Sequence, residues 1–512
     1  MVAAIAFSGV VRRIVRSDVA IIAFGQLLQQ ALGLVTGVMI GRMLGSSGYG
    51  LINIVRNVYM PLVILAPLGL DVALLKYVGR ADRDLNSIHR IVGRLRMVVL
   101  SINLPMAVLI GFGIGHVLMQ RVYRYPHFDI MLLITLLALP IAADLAVMGA
   151  YYRGRGRPGA FALMTIYVQP IARVLLVLLA LWLVPTAEAV VTITTLQIAI
   201  SGAFVWGHFT VWKQQERLSP VSAGVSRPDR REEWRYVRTI LRDSLWMAMN
   251  LFVYGMMRFV DILVLGAYVP SKVVGAYAAL STMSQLVTVW PLASSQTLAP
   301  NISRHFHAGD IPALREELDS YMHLASIMSG FIFAGVAAFG DRLDLLFGKS
   351  FIFRPGIALL MPLGYLISAT LGPAGYALSM TGRHREELVI LVAGAVILCV
   401  SCFVLVPLWG DIGAATAVCF SFTIINVFRF TWVGVSFGFV PGRIADLVPP
   451  LLALGAAYSS KLLIDLALPR GLIGLILACI AYSLIFAAIT YRFLLGDAGW
   501  VRLRTMFAAR GL

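Results

Sequence analysis

The stretch that decides the fold runs from residue 33 to residue 71 and reads GLVTGVMIGRMLGSSGYGLINIVRNVYMPLVILAPLGLD. It holds two apolar runs joined by a short glycine-rich turn. Before the turn a glycine recurs at every fourth position, so most of these glycines lie along one face of a helix. Small residues at this spacing let another helix approach backbone to backbone within a membrane. The stretch therefore predicts a transmembrane hairpin whose first helix is closely packed.

The glycine spacing of this turn returns in the second half of the chain. Gly41 and Gly50 lie nine positions apart, and so do Gly266 and Gly275. In each pair the first glycine closes an apolar helix and the second opens the next one. We interpret the hairpin as the start of each half of a two-lobed protein, with Gly37 and these four glycines as its hinge or gate positions.

The composition is that of a polytopic membrane protein. Of the 512 residues, 59% are hydrophobic and 13% are charged, and the mean hydropathy is +0.85. A hydrocarbon core about 30 Å thick needs about 20 apolar residues per helix, and runs of that length occur throughout the chain. They predict an all-α polytopic fold with about 14 transmembrane helices. Because the runs are continuous rather than alternating, a β-barrel is not expected.

The net charge of +17 follows from asymmetric loops. If the N-terminus lies in the cytoplasm, most of the 42 lysine and arginine residues fall in the cytoplasmic connections. This is the distribution that the positive-inside rule requires. We therefore expect both termini in the cytoplasm, and the charge does not indicate a nucleic-acid partner.

The longest connection divides the chain. Its early part is typical of a linker, and its later part, REEWRYVRTILRD, fits a basic amphipathic helix on the inner leaflet. Because an even number of helices precedes it, the two lobes share one orientation and form a parallel repeat. The predicted parts are an N-lobe of helices 1 to 6 (1–212), a cytoplasmic linker with the amphipathic segment (213–243), a C-lobe of helices 7 to 12 (244–436), and a C-terminal helix pair with a basic tail (437–512).

Catalytic and metal-binding motifs are not found in the sequence. The glycine-rich GFGIG lies inside a predicted helix without the strand and turn of a nucleotide loop, and there is no Walker lysine motif. The four cysteines lie in apolar segments without a set of metal ligands at the required spacing. We expect no enzyme activity, no catalytic residues, no metal site and no cofactor.

Charges within the predicted spans mark the candidate binding residues. A charge near the middle of a span costs about 2.5–3.5 kcal/mol on insertion scales, so it is a functional candidate. We expect Arg56, Arg173 and Arg258 to line a cavity and bind substrate. A cleft rich in arginine suits an anionic ligand because guanidinium matches phosphate in bidentate geometry. For Arg258 a structural pair with Asp261 remains an alternative.

Further polar residues on the predicted spans suggest a water-filled cleft. For the uncharged ones, packing through interhelical hydrogen bonds is the alternative. Arg429 also suits snorkelling, and Lys461 and Asp465 suit snorkelling or a mutual pair. The candidates for cavity lining or ion coupling are Gln26, Gln30, Asn53, Asn57, Asp144, Asp261, Gln285 and Arg429.

Several motifs occur in an order that resembles a known family. The chain resembles the polysaccharide flippases, of the O-antigen and exopolysaccharide type, in the multidrug/oligosaccharidyl-lipid/polysaccharide exporter superfamily. Each motif is weak alone, but together they are fairly specific to the superfamily. They are GRMLGSSGYG (41–50), LAPLGLDVALLKYVGR (65–80), RFVDILVLGAYVPSKVVGAYAAL (258–280), LFGKSF (346–351), MTGRHRE (380–386) and PLWGDIGAATA (407–417).

The resemblance implies a V-shaped pair of six-helix lobes around a cationic cavity that works by alternating access. It implies the transfer of undecaprenyl-diphosphate-linked oligosaccharide from the inner to the outer leaflet of the bacterial plasma membrane. Related peptidoglycan-precursor flippases use arginines in helices 1 and 2 and at the start of the second lobe. Arg56 and Arg258 match such positions by location, whereas predicted helix 1 carries Gln26 and Gln30 instead of arginine.

Coupling and partners are further expectations. Asp144 or Asp261 would couple transport to a proton or sodium gradient, and polysaccharide polymerase and export proteins would be partners beside the lipid bilayer. Two other functions stay open. A drug or cation antiporter of the same superfamily is disfavoured by the helix count and the cationic cavity, and a membrane polysaccharide polymerase by the absence of a large outer loop.

Overall fold

The computed structural model describes residues 18–78, 85–217 and 230–494, and these residues are helical with no strand among them. They form two compact units. The first unit holds the described residues up to Leu44 together with Leu51–Phe259, and the second holds Gly45–Gly50 with the described residues from Val260 onward. The linker-like part of the predicted connection (218–229), the N-terminal flank (1–17) and the basic C-terminal tail (495–512) lie outside the described residues.

The helices that begin in the first unit are α1 (Asp18–Leu65), α2 (Leu70–Val78), α3 (Leu85–Leu109), α4 (Phe128–Leu137), α5 (Leu139–Gly154), α6 (Pro158–Ala162), α7 (Val168–Leu183), α8 (Ala187–Arg217) and α9 (Arg230–Met256). Short helical turns extend α3 at Ile110–Ile114, Gly115–Val117 and Leu118–Tyr123, and another precedes α7 at Leu163–Tyr167.

The helices of the second unit are α10 (Val260–Tyr268), α11 (Ser271–Gln285), α12 (Val289–His307), α13 (Ile311–Phe339), α14 (Asp344–Phe347), α15 (Pro355–Leu371), α16 (Pro373–Met380), α17 (His384–Trp409), α18 (Asp411–Phe437), α19 (Val448–Ala467) and α20 (Leu472–Ile489). Shorter turns lie at Leu286–Thr288, Gly340–Arg342, Ile444–Leu447 and Thr490–Leu494.

The number of membrane-crossing helices agrees with the prediction. Among the described residues, 12 helices are long and apolar enough to cross a membrane, or 13 if α9 and α10 form one broken span. The first of them, Phe24–Leu65, has 42 residues. At about 1.5 Å per residue it is about twice as long as the hydrocarbon core is thick. It bends at Gly45, whose φ of 68° favours glycine, so it contains two of the predicted spans.

Many large apolar side chains are exposed on the outer surface of the helices. Trp182 on α7 is 81% exposed, and Val389 and Phe403 on α17 are 68% and 59% exposed. Large apolar side chains are exposed on most of the long helices. Continuous exposed apolar surface marks a membrane-facing protein, and the fold is that of an all-α polytopic membrane protein.

Helix α5 forms the core of the first unit. Its Tyr151 and Tyr152 are fully buried and are hydrogen-bonded to His89 Nε2 at 2.6 Å and to His208 Nδ1 at 2.7 Å. The ring of Trp212 lies 5.5 Å and 5.1 Å from the two tyrosine rings. These contacts join α3, α5 and α8, and the two tyrosine hydroxyls are hydrogen-bonded, as buried polar groups usually are.

Ion pairs attach the C-terminal helix pair to the end of α13. Lys461 on α19 donates to Asp341 at 2.7 Å and to the carbonyl oxygen of Ala338 at 2.7 Å. Arg342 pairs with Asp465 through both carboxylate oxygens. Lys461 and Asp465 therefore do not pair with each other. Their partners are Asp341 and Arg342, which directly follow α13, because α13 packs alongside α19.

The start of the second half differs from the prediction. Predicted helix 7 was expected at 244–267, but α9 begins at Arg230 and runs unbroken to Met256, and α10 follows after a turn. No proline and no glycine before Gly255 interrupts this stretch, so the predicted amphipathic segment and the first part of the span form one helix. By its contacts α9 belongs to the first unit, which ends at Phe259, whereas the predicted N-lobe ended at residue 212.

We predict that Asp465→Asn destabilises the protein by about 3 kcal/mol. The side chain of Arg342 is 5% exposed and would lose its counter-charge, and this value is at the low end for a buried pair because Asp465 is 29% exposed. The measurement is the thermal unfolding midpoint in detergent. The double variant Arg342→Met/Asp465→Leu removes both charges and should lose less stability than the single variant. The opposite ranking would contradict a buried ion pair.

Candidate functional site

The two copies of the glycine motif meet at their second glycines, within the second unit. A Cβ atom added at Gly50 would lie 1.9 Å from the carbonyl oxygen of Ser271, and one added at Gly275 would lie 1.9 Å from the carbonyl oxygen of Ser46. Each glycine thus faces the carbonyl group four residues before the other glycine. No side chain fits at either position, and the geometry aims each glycine Cα–H at a carbonyl oxygen.

Serine side chains reinforce this glycine contact. The backbone N–H of Ser46 donates to Ser350 Oγ at 3.0 Å, and Ser46 Oγ donates to the carbonyl oxygen of Ser350 at 2.9 Å. The hydroxyl groups of Ser47 and Ser271 are 2.8 Å apart. These bonds tie the turn after Gly45 to the second unit on two sides.

Aromatic rings complete the attachment of the turn. The ring of Tyr49 lies 5.8 Å from the rings of both Phe347 and Phe351. These two residues and Ser350 belong to the motif LFGKSF, to which the sequence analysis assigned no role. In the sequence, this motif is recognisable as a glycine and a serine between two aromatic residues after an apolar helix. Its contact with the first hairpin cannot be predicted from the sequence, because the two segments are far apart in the chain.

The other predicted gate glycines are buried, and they stay predictions. Gly37, Gly41 and Gly266 have little exposed surface. By contrast, a Cβ atom at Gly33 would meet nothing within 4 Å. The glycines repeated along α1 are therefore not all closely packed, and Gly33, the first of them, is not required to be small for packing.

Helix α9 packs closely against the end of α1. A Cβ atom added at Gly255 would lie 2.2 Å from Ile64 Cδ1. One added at Gly69, just after α1, would lie 2.1 Å from the carbonyl oxygen of Ser244. Because the later residue of α9 faces the earlier residue of α1, the two segments run antiparallel.

Arg56 and Arg258 lie on these two packed segments and are both exposed. Arg258 lies in the turn after α9, where its backbone N–H donates to the carbonyl oxygen of Gly255 at 3.0 Å. From the contact of Gly255 with Ile64 and about 1.5 Å per residue, the two arginines are roughly 8 Å apart along the helix axes. Two arginines of the first unit are thus exposed on neighbouring packed segments.

The residues beside Arg56 behave differently from it. Asn53 and Asn57 are 7% and 6% exposed, and Asn57 Nδ2 donates to the carbonyl oxygen of Asn53 at 2.7 Å. Of Asn53, Arg56 and Asn57, Arg56 alone is exposed. Buried asparagines at this spacing serve helix packing.

The remaining neutral candidates and Arg173 are half-buried. Arg173 lies on α7, which packs against α8. Gln285 Nε2, at the end of α11, donates to Ser281 Oγ at 3.3 Å. Gln26 and Gln30 lie on α1 in the first unit, whereas Gln285 lies in the second.

Asp144 is a fully buried partner in an ion pair. Its carboxylate accepts hydrogen bonds from Arg96 Nε at 2.6 Å, Arg96 Nη2 at 2.9 Å and Trp206 Nε1 at 2.7 Å. Such a carboxylate has its charge balanced and both oxygens occupied. Arg96 is not among the predicted site residues, because it lies in a connection predicted to be outside the membrane.

Asp261 is buried in a different environment. It is 4% exposed and accepts a hydrogen bond from the Tyr277 hydroxyl at 2.8 Å. Its other oxygen is buried and has no hydrogen-bond partner within the ranges that the structure describes. The alternative of a helical pair with Arg258 does not hold, because the turn between α9 and α10 separates the two residues and Arg258 is exposed.

Arg429 forms a largely buried ion pair in the second unit. Its Nε donates to Glu387 Oε2 at 3.1 Å, and its Nη2 bonds Oε1 of the same residue. The side chains of Arg429 and Glu387 are 11% and 14% exposed. Glu387 follows the motif MTGRHRE directly, so the pair joins α17 to α18 near the junction that this motif forms.

The family model for polysaccharide biosynthesis proteins matches residues 15–306. The chain belongs to the polysaccharide biosynthesis protein family. Among curated proteins, no match is found.

Solved structures place this polysaccharide biosynthesis protein in a known fold. It is similar to the lipid II flippase MurJ in an inward closed conformation, with a TM-score of 0.70 and 12% identity over 92% of this chain and 98% of that chain. The inward-facing conformation of a multidrug resistance MATE family transporter of the MOP superfamily matches with a TM-score of 0.60 and 15% identity over 81% and 98%. A MOP superfamily transporter from Pyrococcus furiosus matches with a TM-score of 0.53 and 13% identity over 83% and 97%.

At these identities the similarity shows the fold alone, which the lipid II flippase and the multidrug resistance transporter share. The predicted resemblance to polysaccharide biosynthesis proteins is confirmed by the family model. For the polysaccharide biosynthesis protein, the motif copies around Gly50 and Gly275 are now a defined backbone contact in this fold.

We predict that Gly50→Ala lowers the thermal unfolding midpoint of the protein in detergent. A methyl group at this position must displace backbone atoms, and overpacking costs about 1–3 kcal/mol. Gly33→Ala, on the same helix, is the matched control: its methyl group enters open space, and alanine favours a helix over glycine by about 1 kcal/mol. Equal effects of the two substitutions would rule out the backbone contact at Gly50.

Proposed function

We propose that this protein is a flippase for undecaprenyl-diphosphate-linked oligosaccharide repeat units. It moves them from the inner to the outer leaflet of the bacterial plasma membrane for surface polysaccharide biosynthesis, such as that of O-antigen or exopolysaccharide. The observation that carries the proposal is the exposure of Arg56 and Arg258 on two packed segments of the first unit, in a chain of the polysaccharide biosynthesis family.

The diphosphate is the part of the substrate that needs the protein. It cannot cross hydrocarbon unaided, because removing its charges from water is very costly. Arg56 and Arg258, roughly 8 Å apart along the helix axes, offer one guanidinium to each phosphate in bidentate geometry. Arg173 is the third arginine that we propose for this cavity. The prenyl tail stays in lipid while the sugar stays in water.

Alternating access requires a contact that opens and closes without large cost. The contact between Gly50 and Gly275 supports this role, because it is formed by backbone atoms and a few serine hydrogen bonds. We therefore propose this contact as one gate of the transport cycle.

Ion coupling is better supported for Asp261 than for Asp144. Asp144 already has its charge balanced by Arg96 and its oxygens occupied. Asp261 is equally buried but has only Tyr277 as a side-chain hydrogen-bond partner among the described residues. A buried carboxylate without a counter-charge favours binding a proton or a sodium ion. We propose Asp261 as the group that couples transport to one of these gradients.

Orientation and partners follow from the same proposal. The distribution of lysine and arginine supports a cytoplasmic location of both termini. A lipid-linked repeat unit delivered to the outer leaflet must be polymerised and exported there, so polysaccharide polymerase and export proteins are the proposed partners.

A second candidate function is a small-molecule antiporter. Similarity to a multidrug resistance MATE family transporter with a TM-score of 0.60 favours it at the level of fold. An exporter of cationic drugs is better served by carboxylates than by exposed arginines, which attract anions. The two functions are separated by whether the purified protein binds a lipid diphosphate or an organic cation.

We predict that Arg258→Ala lowers surface polysaccharide by at least tenfold and causes lipid-linked repeat units to accumulate on the inner leaflet. The reason is the lost charge for the diphosphate, so Arg258→Lys should retain part of the export. The measurement is surface polysaccharide at matched protein level. Arg470→Ala, which removes an exposed arginine between α19 and α20, serves as control. Normal export by Arg258→Ala would refute the assigned role.

We predict that Asp261→Asn abolishes the response of transport to an imposed ion gradient in proteoliposomes while binding of the lipid diphosphate persists. Proton and sodium gradients are applied separately, and the gradient that drives the wild type identifies the coupled ion. Asp144→Asn should instead reduce stability, because Arg96 loses its charged partner. A gradient response that survives in Asp261→Asn would exclude Asp261 as the coupling group.

A further inference from the structure

Helix α9 has one face packed against the rest of the first unit, and Glu233 and Asp243 have their partners there. Glu233 is 3% exposed. Its carboxylate accepts a hydrogen bond from Arg90 Nε at 2.7 Å and forms a second ion pair with Arg94. Further along, the Tyr77 hydroxyl donates to Asp243. The negative charge of Glu233 is therefore balanced within the fold, whereas the carboxylate of Asp243 also lies 3.8 Å from Arg242 Nε.

The opposite face of α9 is basic. Arg231, Arg235, Arg238 and Arg242 are all exposed. At about 100° per residue, they fall within roughly 60° of one another around the helix axis. The arginine stripe, as we call these four residues, is about 16 Å long at about 1.5 Å per residue. It presents a row of guanidinium groups along one line of the helix.

The arginine stripe continues directly into an apolar surface. Leu245 and Met249 lie on the same face of α9 and are 51% and 57% exposed. They belong to the broken span of α9 and α10, so on this face their environment is lipid. Arg242 is one turn before Leu245, and the face does not change between them. The stripe therefore begins where the lipid surface ends, at the level of the headgroups.

From this geometry we infer that the arginine stripe binds the phosphate groups of anionic phospholipids. Guanidinium groups bind phosphate oxygens in bidentate geometry, and basic residues beside a transmembrane helix attract anionic lipid. Trp234, which is 46% exposed and has Arg94 over its ring at 5.4 Å, flanks the stripe. Tryptophan prefers the membrane interface, where its ring is in an apolar layer and its N–H is near water. In the proposed orientation the lipid belongs to the inner leaflet.

This lipid contact bears on the helix that ends beside Arg258. The pair of Glu233 with Arg90 and Arg94 fixes the start of α9 to α3, and lipid phosphates hold its outer face. The lipid composition of the membrane then influences the position of α9. Binding itself does not depend on the proposed transport function, so the two can fail separately.

The test compares phospholipid binding by the full-length protein in detergent, measured by native mass spectrometry during titration with phosphatidylglycerol or phosphatidylcholine. The wild type should prefer phosphatidylglycerol by tenfold or more. In Arg235→Gln/Arg238→Gln, affinity for phosphatidylglycerol should fall by about thirtyfold, which is about fivefold per arginine removed. Arg235→Lys/Arg238→Lys should retain most of the binding, because the charge remains.

The matched control is Arg385→Gln/Arg470→Gln, which removes the same charge from two exposed positions elsewhere in the chain. It should change binding by less than twofold, and the unfolding midpoints of all variants should match that of the wild type. Equal losses in both double variants would reduce the effect to net charge and overturn the inference. Equal binding of the two lipids by the wild type would overturn it too. Displacement of the lipid by inorganic diphosphate at equal phosphate concentration would show a general polyanion site and would also overturn it.

Discussion

A charge buried in a membrane protein is stable only beside an opposite charge or a dense set of hydrogen bonds, and this constraint orders the interior of both units. Asp144 is held by Arg96 and an indole N–H, and Arg429 by Glu387. Removing one member of such a pair leaves a desolvated charge, which costs more than the pair contributes. Among the described residues, the pairs that meet the constraint include Arg90 and Arg94 with Glu233, Arg96 with Asp144, Arg342 with Asp465, Lys461 with Asp341, and Arg429 with Glu387.

The sequence predicted the helices well and the partners of the charges poorly, for a physical reason. Helix length and apolar content are local properties, so the spans, the repeated glycine turn and the family followed from the chain alone. Which charge meets which depends on packing between distant segments. Asp144 and Arg429 looked like cavity residues because Arg96 and Glu387 lie near predicted connections. The amphipathic segment and the span from residue 244 were predicted as separate parts, but the backbone of α9 continues from Arg230 to Met256.

A fold of this kind serves several cargoes, so function rests on what the interior leaves exposed. The same architecture occurs in a lipid II flippase and in a multidrug resistance transporter. With many intramembrane charges neutralised by pairing, the exposed guanidinium groups of Arg56 and Arg258 are the basis of the proposed preference for an anion. The buried carboxylate of Asp261 differs from that of Asp144 by its partners rather than by its burial. This difference is the reason that Asp261, and not Asp144, is the proposed coupling group.

The reciprocal contact of Gly50 and Gly275 has the form of a homodimer interface. Each glycine meets the carbonyl four residues before its counterpart, which is the rule for a surface that is complementary to its own copy about a two-fold axis. Two separate chains carrying one copy each would satisfy it equally. A gene duplication followed by fusion would therefore need no new contact at this point. Within one polypeptide, each copy of the motif supplies the surface that a second chain would supply in a homodimer.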